Sequence, residues 1–438
     1  MWIFYETLLL IGLLLYVPRA LWRKRLPHRG WTMRLGRYPR SVSTTLHGRR
    51  PIWIHAVSVG EVLAVQPLLH ALTSAAPREP LVLSTITSSG FEVAEKQLGE
   101  RGVAIYFPLD FRVCVTHALD ALHPRLLILV ESELWPTMIR LANARGIPIA
   151  IVNGRISPRA FRRYRWVAPW VGSLLRQIDR FLMQGQPDAD RIIQLGAPPA
   201  KVQVMGSLKW DASLGARPTS QTIQETAVRL GLNGQEIVLV AGSTHRGEEA
   251  ALLDAFQTVR TSHPHARLII APRHLERLAE VEGLVRQAGL TSARLSHLPA
   301  ATGAAQTGAA GGAGWDVGLV DTLGQLPRYY GLATVAFVGG SLIPHGGQNP
   351  IEAASLGKPI LFGPFMHNFT EIAHQLTSHL AARQITDIQG LTPALQALLT
   401  HRAEAQAMGR RAQELTERSQ GVVQRTVEAL APLLANTS

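Results

Sequence analysis

Carboxylates stand where two apolar runs of this chain stop. The segment Ser58-Val59-Gly60-Glu61 follows the run Pro51–Val57. A glycine turn there puts an acid on the first turn of the next helix, where a base on a rigid element can take a proton from an attacking hydroxyl. An acid at that place also suits the helix dipole with no chemistry attached, so neighbouring segments must decide. Glu131-Ser132-Glu133-Leu134-Trp135-Pro136 ends the run Leu126–Val130. Two carboxylates at a strand end need solvent, a cation or a ligand, because unpaired charge is costly to bury. Either can assist Glu61 or orient an acceptor. Asn153-Gly154-Arg155-Ile156-Ser157 opens a basic aromatic stretch with Arg159, Phe161, Arg162, Arg163, Tyr164, Arg165, Trp166 and Trp170. Guanidinium groups suit phosphates and aromatic rings suit an interface or acyl chains, although a solvated helix face gives a similar pattern.

The second half offers groups suited to an anionic donor. Gly242-Ser243-Thr244-His245 follows the run Ile237–Ala241, and its hydroxyls at a helix start can hold a phosphate or simply cap the helix. Pro272-Arg273-His274 follows Leu268–Ala271 and reads as an anion clamp or an exposed turn. Gly339-Gly340-Ser341-Leu342 leads into Gly346-Gly347-Gln348-Asn349-Pro350-Ile351-Glu352-Ala353-Ala354. Glycines let a backbone approach a ligand closely, Asn349 and Pro350 suit a helix start, and Glu352 is placed to accept two hydrogen bonds from a ribose diol. Phe362-Gly363-Pro364 and Asn368-Phe369 follow the next run and can close the pocket. Between the halves lies Gly206-Ser207-Leu208-Lys209-Trp210-Asp211, whose Lys209 is expected to reach a donor carboxylate or phosphate.

Apolar runs and amphipathic segments alternate from Pro51 to about Gly206, and again from Ile237 onward. Continuous apolar strands between helices indicate parallel sheets covered on both faces. The expected fold is therefore α/β, with two Rossmann-like doubly wound domains facing a cleft. Residues 213–221 read as the linker. The expected domains are 23–212 and 213–438, preceded by an anchor helix over 1–22. Two such domains suit an enzyme joining a nucleotide-activated donor to a second substrate. A dinucleotide dehydrogenase is disfavoured, because no GxGxxG with a following acid trails a first strand. The Ala/Gly/Thr-rich stretch Pro299–Gly314 reads as a surface insertion without chemistry.

The chain has 438 residues, 46% of them hydrophobic, and a net charge of +13. Much of the positive excess lies in Arg19, Arg23, Lys24, Arg25, Arg29, Arg34, Arg37, Arg40, Arg49 and Arg50, directly after the apolar stretch Trp2–Val17. That pattern predicts an uncleaved membrane anchor with a positive cytoplasmic flank, either spanning or lying in the interface. No recognised module supports nucleic-acid binding. The single cysteine, Cys114, excludes an internal disulfide, and no Cys/His spacing suggests a metal.

Taken in order, the motifs around Glu61, Glu131, Lys209, Arg273 and Gly346–Ala354 resemble those of the 3-deoxy-D-manno-octulosonic acid (Kdo) transferases, from about Met1 to about Val423. The resemblance implies a GT-B fold, CMP-Kdo as donor co-substrate with no further cofactor, and a tetraacylated lipid A precursor as acceptor. It also implies inverting, metal-independent transfer at the cytoplasmic face of the bacterial inner membrane. Glu61 would be the general base, with Glu131 and Glu133 beside it. Lys209, Ser243, Arg273, His274, Gly340, Ser341, Asn349, Glu352 and Asn368 would serve the donor. Ser58, Gly60, Arg155, Arg162 and Arg163 would serve the acceptor. Gln348, Ser207 and Thr137 depart from the usual family pattern, in which histidine, asparagine and asparagine are common.

Overall fold

The computed structural model describes residues 5–7, 9–12, 14–15, 30–213, 217–298 and 314–435. The chain divides into two compact units, Met1–Ala212 with Gly421–Ser438, and Ser213–Gln420. Largely apolar runs of four to six residues make the first six strands of the first unit: β1 (Ile52–His55), β2 (Leu81–Thr85), β3 (Gly102–Tyr106), β4 (Leu126–Val130), β5 (Ile149–Gly154) and β6 (Arg180–Met183), with a short, mostly exposed β7 (Val202–Val204) at one edge. The sheet order is β3-β2-β1-β4-β5-β6-β7, every pairing is parallel, and Ile52 lies opposite both Leu81 and Leu126. Strands buried on both faces explain the unbroken apolar runs. One face packs Trp53, Leu127, Leu129 and Phe181; the other packs Ile54, Ile128 and Val152 against Val65 and Leu69 of the helix Val59–Ala75.

The second unit repeats the plan with β8 (Val238–Thr244), β9 (Arg267–Pro272), β10 (Ser292–Arg294), β11 (Val317–Leu319), β12 (Val335–Val338), β13 (Ile360–Phe362) and β14 (Arg383–Gln384). Their order is β10-β11-β9-β8-β12-β13-β14, again all parallel. In each sheet the strand order reverses beside the first strand, between β1 and β4 and between β8 and β12. The crevice outside the carboxyl ends at such a reversal is where open α/β sheets bind ligands.

The expected C-terminal domain, 213–438, yields its last helix to the first unit. Val422–Ala435 buries Val422, Val427 and Leu430 in the core that contains Val62 and Leu69. Its start is fixed by Asp211, whose carboxylate accepts hydrogen bonds from Gly421 N (2.9 Å) and Val423 N (2.7 Å). Asp211 of the Gly206–Asp211 motif is thus a cap for a helix two hundred residues downstream in the chain.

Much of the expected anchor, including residues 1–4, 8, 13 and 16–22, lies outside the described residues, as does most of the Ala/Gly-rich stretch, 299–313. The described residues 5–7, 9–12 and 14–15 are helical, with Leu10, Ile11, Leu14 and Leu15 exposed. Tyr5 donates to Asp110 (2.9 Å) and packs its ring against Trp170, and Glu6 accepts from Arg112 N. Among the described residues no helix is long and apolar enough to cross a membrane.

Candidate functional site

Glu61 and Glu131 leave adjacent strands at the reversal of the first sheet. Ser58 caps the helix Val59–Ala75, and Glu61, three residues on, reaches back. Its carboxylate accepts from Val57 N (2.8 Å) and Ser58 Oγ (2.9 Å), while Ser58 Oγ accepts from Glu61 N (3.4 Å). This is a variant of the capping box, so the side chain is held in one place. Burial, then the nearby Glu131 carboxylate, pushes the Glu61 pKa up to about 7 against the pull of those two donors. Glu133 is likewise raised to about 7, by burial and by Glu131. A carboxylic acid poised near neutrality is what general-base work asks for.

Glu131 follows β4 in the left-handed region, φ 59°, costly for a residue with a Cβ and sustained only by firm surroundings. Those surroundings are Lys209, whose Nζ lies 3.7 Å from Glu131 Oε1, and Asn153 Nδ2, 3.5 Å from the same oxygen. Asn153, the last residue but one of β5, also has a positive φ and accepts from Leu208 N through Oδ1 (3.0 Å). Lys209, expected at the donor, lies in its own unit beside Glu131, the carboxylate that raises Glu61; a cation there would offset that repulsion if the pair acts on Glu61. Replacing Lys209 with Met should move the alkaline-rising limb of the rate profile to higher pH and lower turnover at pH 7 by about threefold to tenfold, since one pKa unit is a factor of ten. An unchanged profile in a pH–rate series would remove Lys209 from this role.

The arginines expected at the acceptor, Arg155, Arg162 and Arg163, fall within a short span. Arg155 follows β5 and is half-buried; Arg162 and Arg163 are exposed on the helix Pro158–Arg165, which buries no side chain and ends at Trp166, 91% exposed. Ser58 is engaged with Glu61, and Gly60 is exposed beside it. His55, which sequence reading passed over, is fully buried on β1. Its ring stacks on Phe107 at 3.7 Å and its pKa falls to about 3 through burial, so it stays neutral.

In the second unit the loops after β8 and β12 meet. Ser243, φ 53°, sits at a bulge in β8. Gly339 lies so close that a Cβ there would strike the Ser243 carbonyl, which explains the glycine. Beneath them is Glu248, fully buried. Oε2 accepts from His245 N (2.9 Å) and Gly340 N (2.7 Å); Oε1 accepts from Ser341 N (3.0 Å) and Leu342 N (2.9 Å). Burial raises its pKa and the four donors resist. Gly340 and Ser341 thus spend their N–H groups on Glu248. Ser341 Oγ donates to Val338 O and accepts from Gly363 N, so this buried serine shapes the loop.

Around that loop stand His245, with His345 at 3.9 Å and His274 at 5.8 Å between ring centroids, and Gln348 Nε2, 3.0 Å from His245 Nε2. Burial, then the neighbouring histidines and arginines, lowers the His245 pKa to about 4. Arg273 and His274 are exposed. Asn349 Nδ2 donates to Ser213 Oγ (3.0 Å) and Glu352 Oε1 (3.3 Å), and its Oδ1 accepts from Ile351 N. Burial raises Glu352 to about 7, while Asn349 and Arg273 hold it down. Asn368 Nδ2 donates to the carbonyls of His345 and Gly347, pinning the glycine turn. The second unit therefore gathers a half-buried acid, an exposed arginine and three imidazoles at its sheet reversal.

Two parallel-sheet α/β units of this kind resemble those of the GT-B glycosyltransferases. A glycosyltransferase structure from Rickettsia africae has the same fold, with a TM-score of 0.58 at 8% identity over 89% of this chain and 100% of its own. A family model described as 3-deoxy-D-manno-octulosonic-acid transferase (kdotransferase) matches residues 29–212. The 3-deoxy-D-manno-octulosonic acid transferase of Bordetella pertussis is 36% identical over 389 residues, covering 87% of this chain and 86% of its own. A bifunctional glycosyltransferase/methyltransferase from Fusobacterium nucleatum is 34% identical over 79% of this chain, which spans 52% of that relative's length. The chain belongs to the 3-deoxy-D-manno-octulosonic acid transferase family.

Proposed function

We propose that the protein transfers Kdo from CMP-Kdo to a tetraacylated lipid A precursor in lipopolysaccharide synthesis, with inversion and without a metal. The observation that carries this reading is Glu61: a carboxylate fixed at the sheet reversal by Val57 N–H and Ser58 Oγ, with its pKa near 7. As the acceptor hydroxyl oxygen bonds to the anomeric carbon of Kdo, its proton passes to Glu61. The bond from that carbon to the CMP phosphate oxygen breaks, and the electron pair leaves on CMP. Attack opposite the leaving group inverts the centre. Arg273, exposed and near Glu352, supplies positive charge for the departing phosphate, whose oxygens already carry charge. Glu352 receives the ribose hydroxyls, and Ser243 and His274 line the same side. The relatives' printed transferase names support the sugar.

The acceptor suits the first unit, where Arg155, Arg162 and Arg163 can meet its phosphates. The exposed Trp166 and the N-terminal apolar segment fit a membrane surface, with the catalytic units on the cytoplasmic side of the inner membrane. A detergent assay with fresh CMP-Kdo and the tetraacylated precursor, read by mass spectrometry, is expected to give products heavier by whole Kdo residues. Intact CMP-Kdo with no mass addition would refute the proposal.

A further inference from the structure

The second unit has a cavity far from the carboxyl ends of its strands. It has a volume of about 430 Å³ and lies at the amino ends of β8, β12 and β13, beside Ile237, Thr334 and Pro359. Its charged lining is unbalanced. Lys358, Arg402 and Arg410 face it, against the single acid Glu236. That acid is already engaged, accepting from Asn233 N through both carboxylate oxygens. Among the described residues Lys358, Arg402 and Arg410 have no hydrogen-bond or ion-pair partner for their side chains. Lys358 is half-buried, and burial pushes its pKa down. A partly desolvated ammonium that shares its cavity with two exposed guanidinium groups favours the arrival of a counter-charge.

The local backbone adds to the same field. The helix Arg402–Arg418, 17 residues long, starts at the cavity and presents Arg402, Gln406 and Arg410 along one side. Its N-terminal end brings the positive pole of the dipole to the same place. Guanidinium groups match phosphate oxygens in pairs, and a lysine adds a point charge. The volume exceeds what a lone phosphate fills, and pockets of about this size take small organic ligands.

We propose that this cavity is a second anion site, taking a small phosphorylated molecule at the sheet edge opposite the candidate donor residues. The inference is independent of the proposed Kdo transfer. The probe is inorganic pyrophosphate, titrated calorimetrically into the full-length protein in detergent, with inorganic phosphate as a second arm. Saturable binding is expected, tighter for pyrophosphate. Arg410→Gln and Lys358→Met should each weaken it by about tenfold or more, while Lys358→Arg largely retains it. Arg273→Ala, at the candidate donor site, should leave it unchanged. No saturable heat would overturn the proposal. So would equal affinity in Arg410→Gln and Lys358→Met, or a loss confined to Arg273→Ala. Unaltered thermal unfolding in the exposed Arg410 variant ties any loss to the site.

Discussion

Glu61→Gln is expected to cut Kdo transfer by about a hundred- to ten-thousand-fold, the range that general-base groups supply. The amide keeps the shape of the side chain. It retains one oxygen to accept from Val57 N–H or Ser58 Oγ, so the helix start loses about 1 kcal/mol at most. Circular dichroism and CMP binding should therefore stay close to wild type while mass spectrometry reports almost no product. The pH profile separates a base from a structural cap. In the wild type, kcat/KM should rise as pH passes through about 7, because the raised pKa leaves Glu61 protonated below that value. In the variant the rising limb should lose its Glu61 component. Stability gives an independent sign. The unfolded chain releases this proton in the ordinary carboxylate range, whereas the folded protein keeps it until about 7. Between those limits the folded state holds the extra proton, so wild-type stability from this group is full at low pH and falls as pH rises through the window. Glu61→Gln removes that decline, and the difference in unfolding midpoint between variant and wild type should move in the variant's favour from pH 5 to pH 8. Turnover close to wild type in the variant would end the case for Glu61 as base.

What was legible in the sequence was whatever depends on long apolar runs and on side chains next to them. Runs such as Leu126–Val130 are buried throughout, so composition alone located them, and the acids that follow fell at a sheet reversal once strand order was known. The shortest edge strands left no such mark, unlike β3, which forms the other edge of the first sheet with an apolar run. Val202–Val204, Ser292–Arg294 and Arg383–Gln384 are two or three residues long and partly exposed, and edge positions need no unbroken apolar run. Pairings between distant residues were equally silent. Nothing in the local pattern says that Lys209 meets Glu131 or that Asp211 caps the helix at Val422. The last helix has an ordinary amphipathic pattern, and which core it enters is decided by complementarity of surfaces far apart in the chain. Reading Gly340 and Ser341 as ligand-facing assumed that glycine-rich backbone approaches a ligand. Here the backbone N–H groups approach a carboxylate of the protein itself.

That carboxylate, Glu248, was overlooked because an acid at a helix start is common for dipole reasons, and Glu248 does open the helix Glu248–Ser262. Its four backbone donors come from two loops, the turn at His245 and the run Gly340–Leu342, so it ties together the ends of the two strands that flank the reversal. Glu248→Ala would strand those N–H groups in a site closed to solvent, and each unpaired buried donor costs about 1–3 kcal/mol. Even with relaxation, the variant is expected to lose about 3–5 kcal/mol, in the range seen when a buried network is broken. The exposed pair of Arg246 with Glu280 makes two good hydrogen bonds, yet Arg246→Ala should change little, because solvent screens such pairs. The local signature is hydrogen exchange: amides of Gly340–Leu342 should lose protection in Glu248→Ala. CMP binding should fall with them, because the loop that carries Gly346–Glu352 springs from the same turn. Glu248→Gln should be intermediate, since one amide oxygen still serves two donors while its NH2 faces the others. Protection in Gly340–Leu342 equal to wild type would show that the glycine loop holds its shape without Glu248, and the donor side of the site would then have to be explained from Asn349 and Asn368 alone.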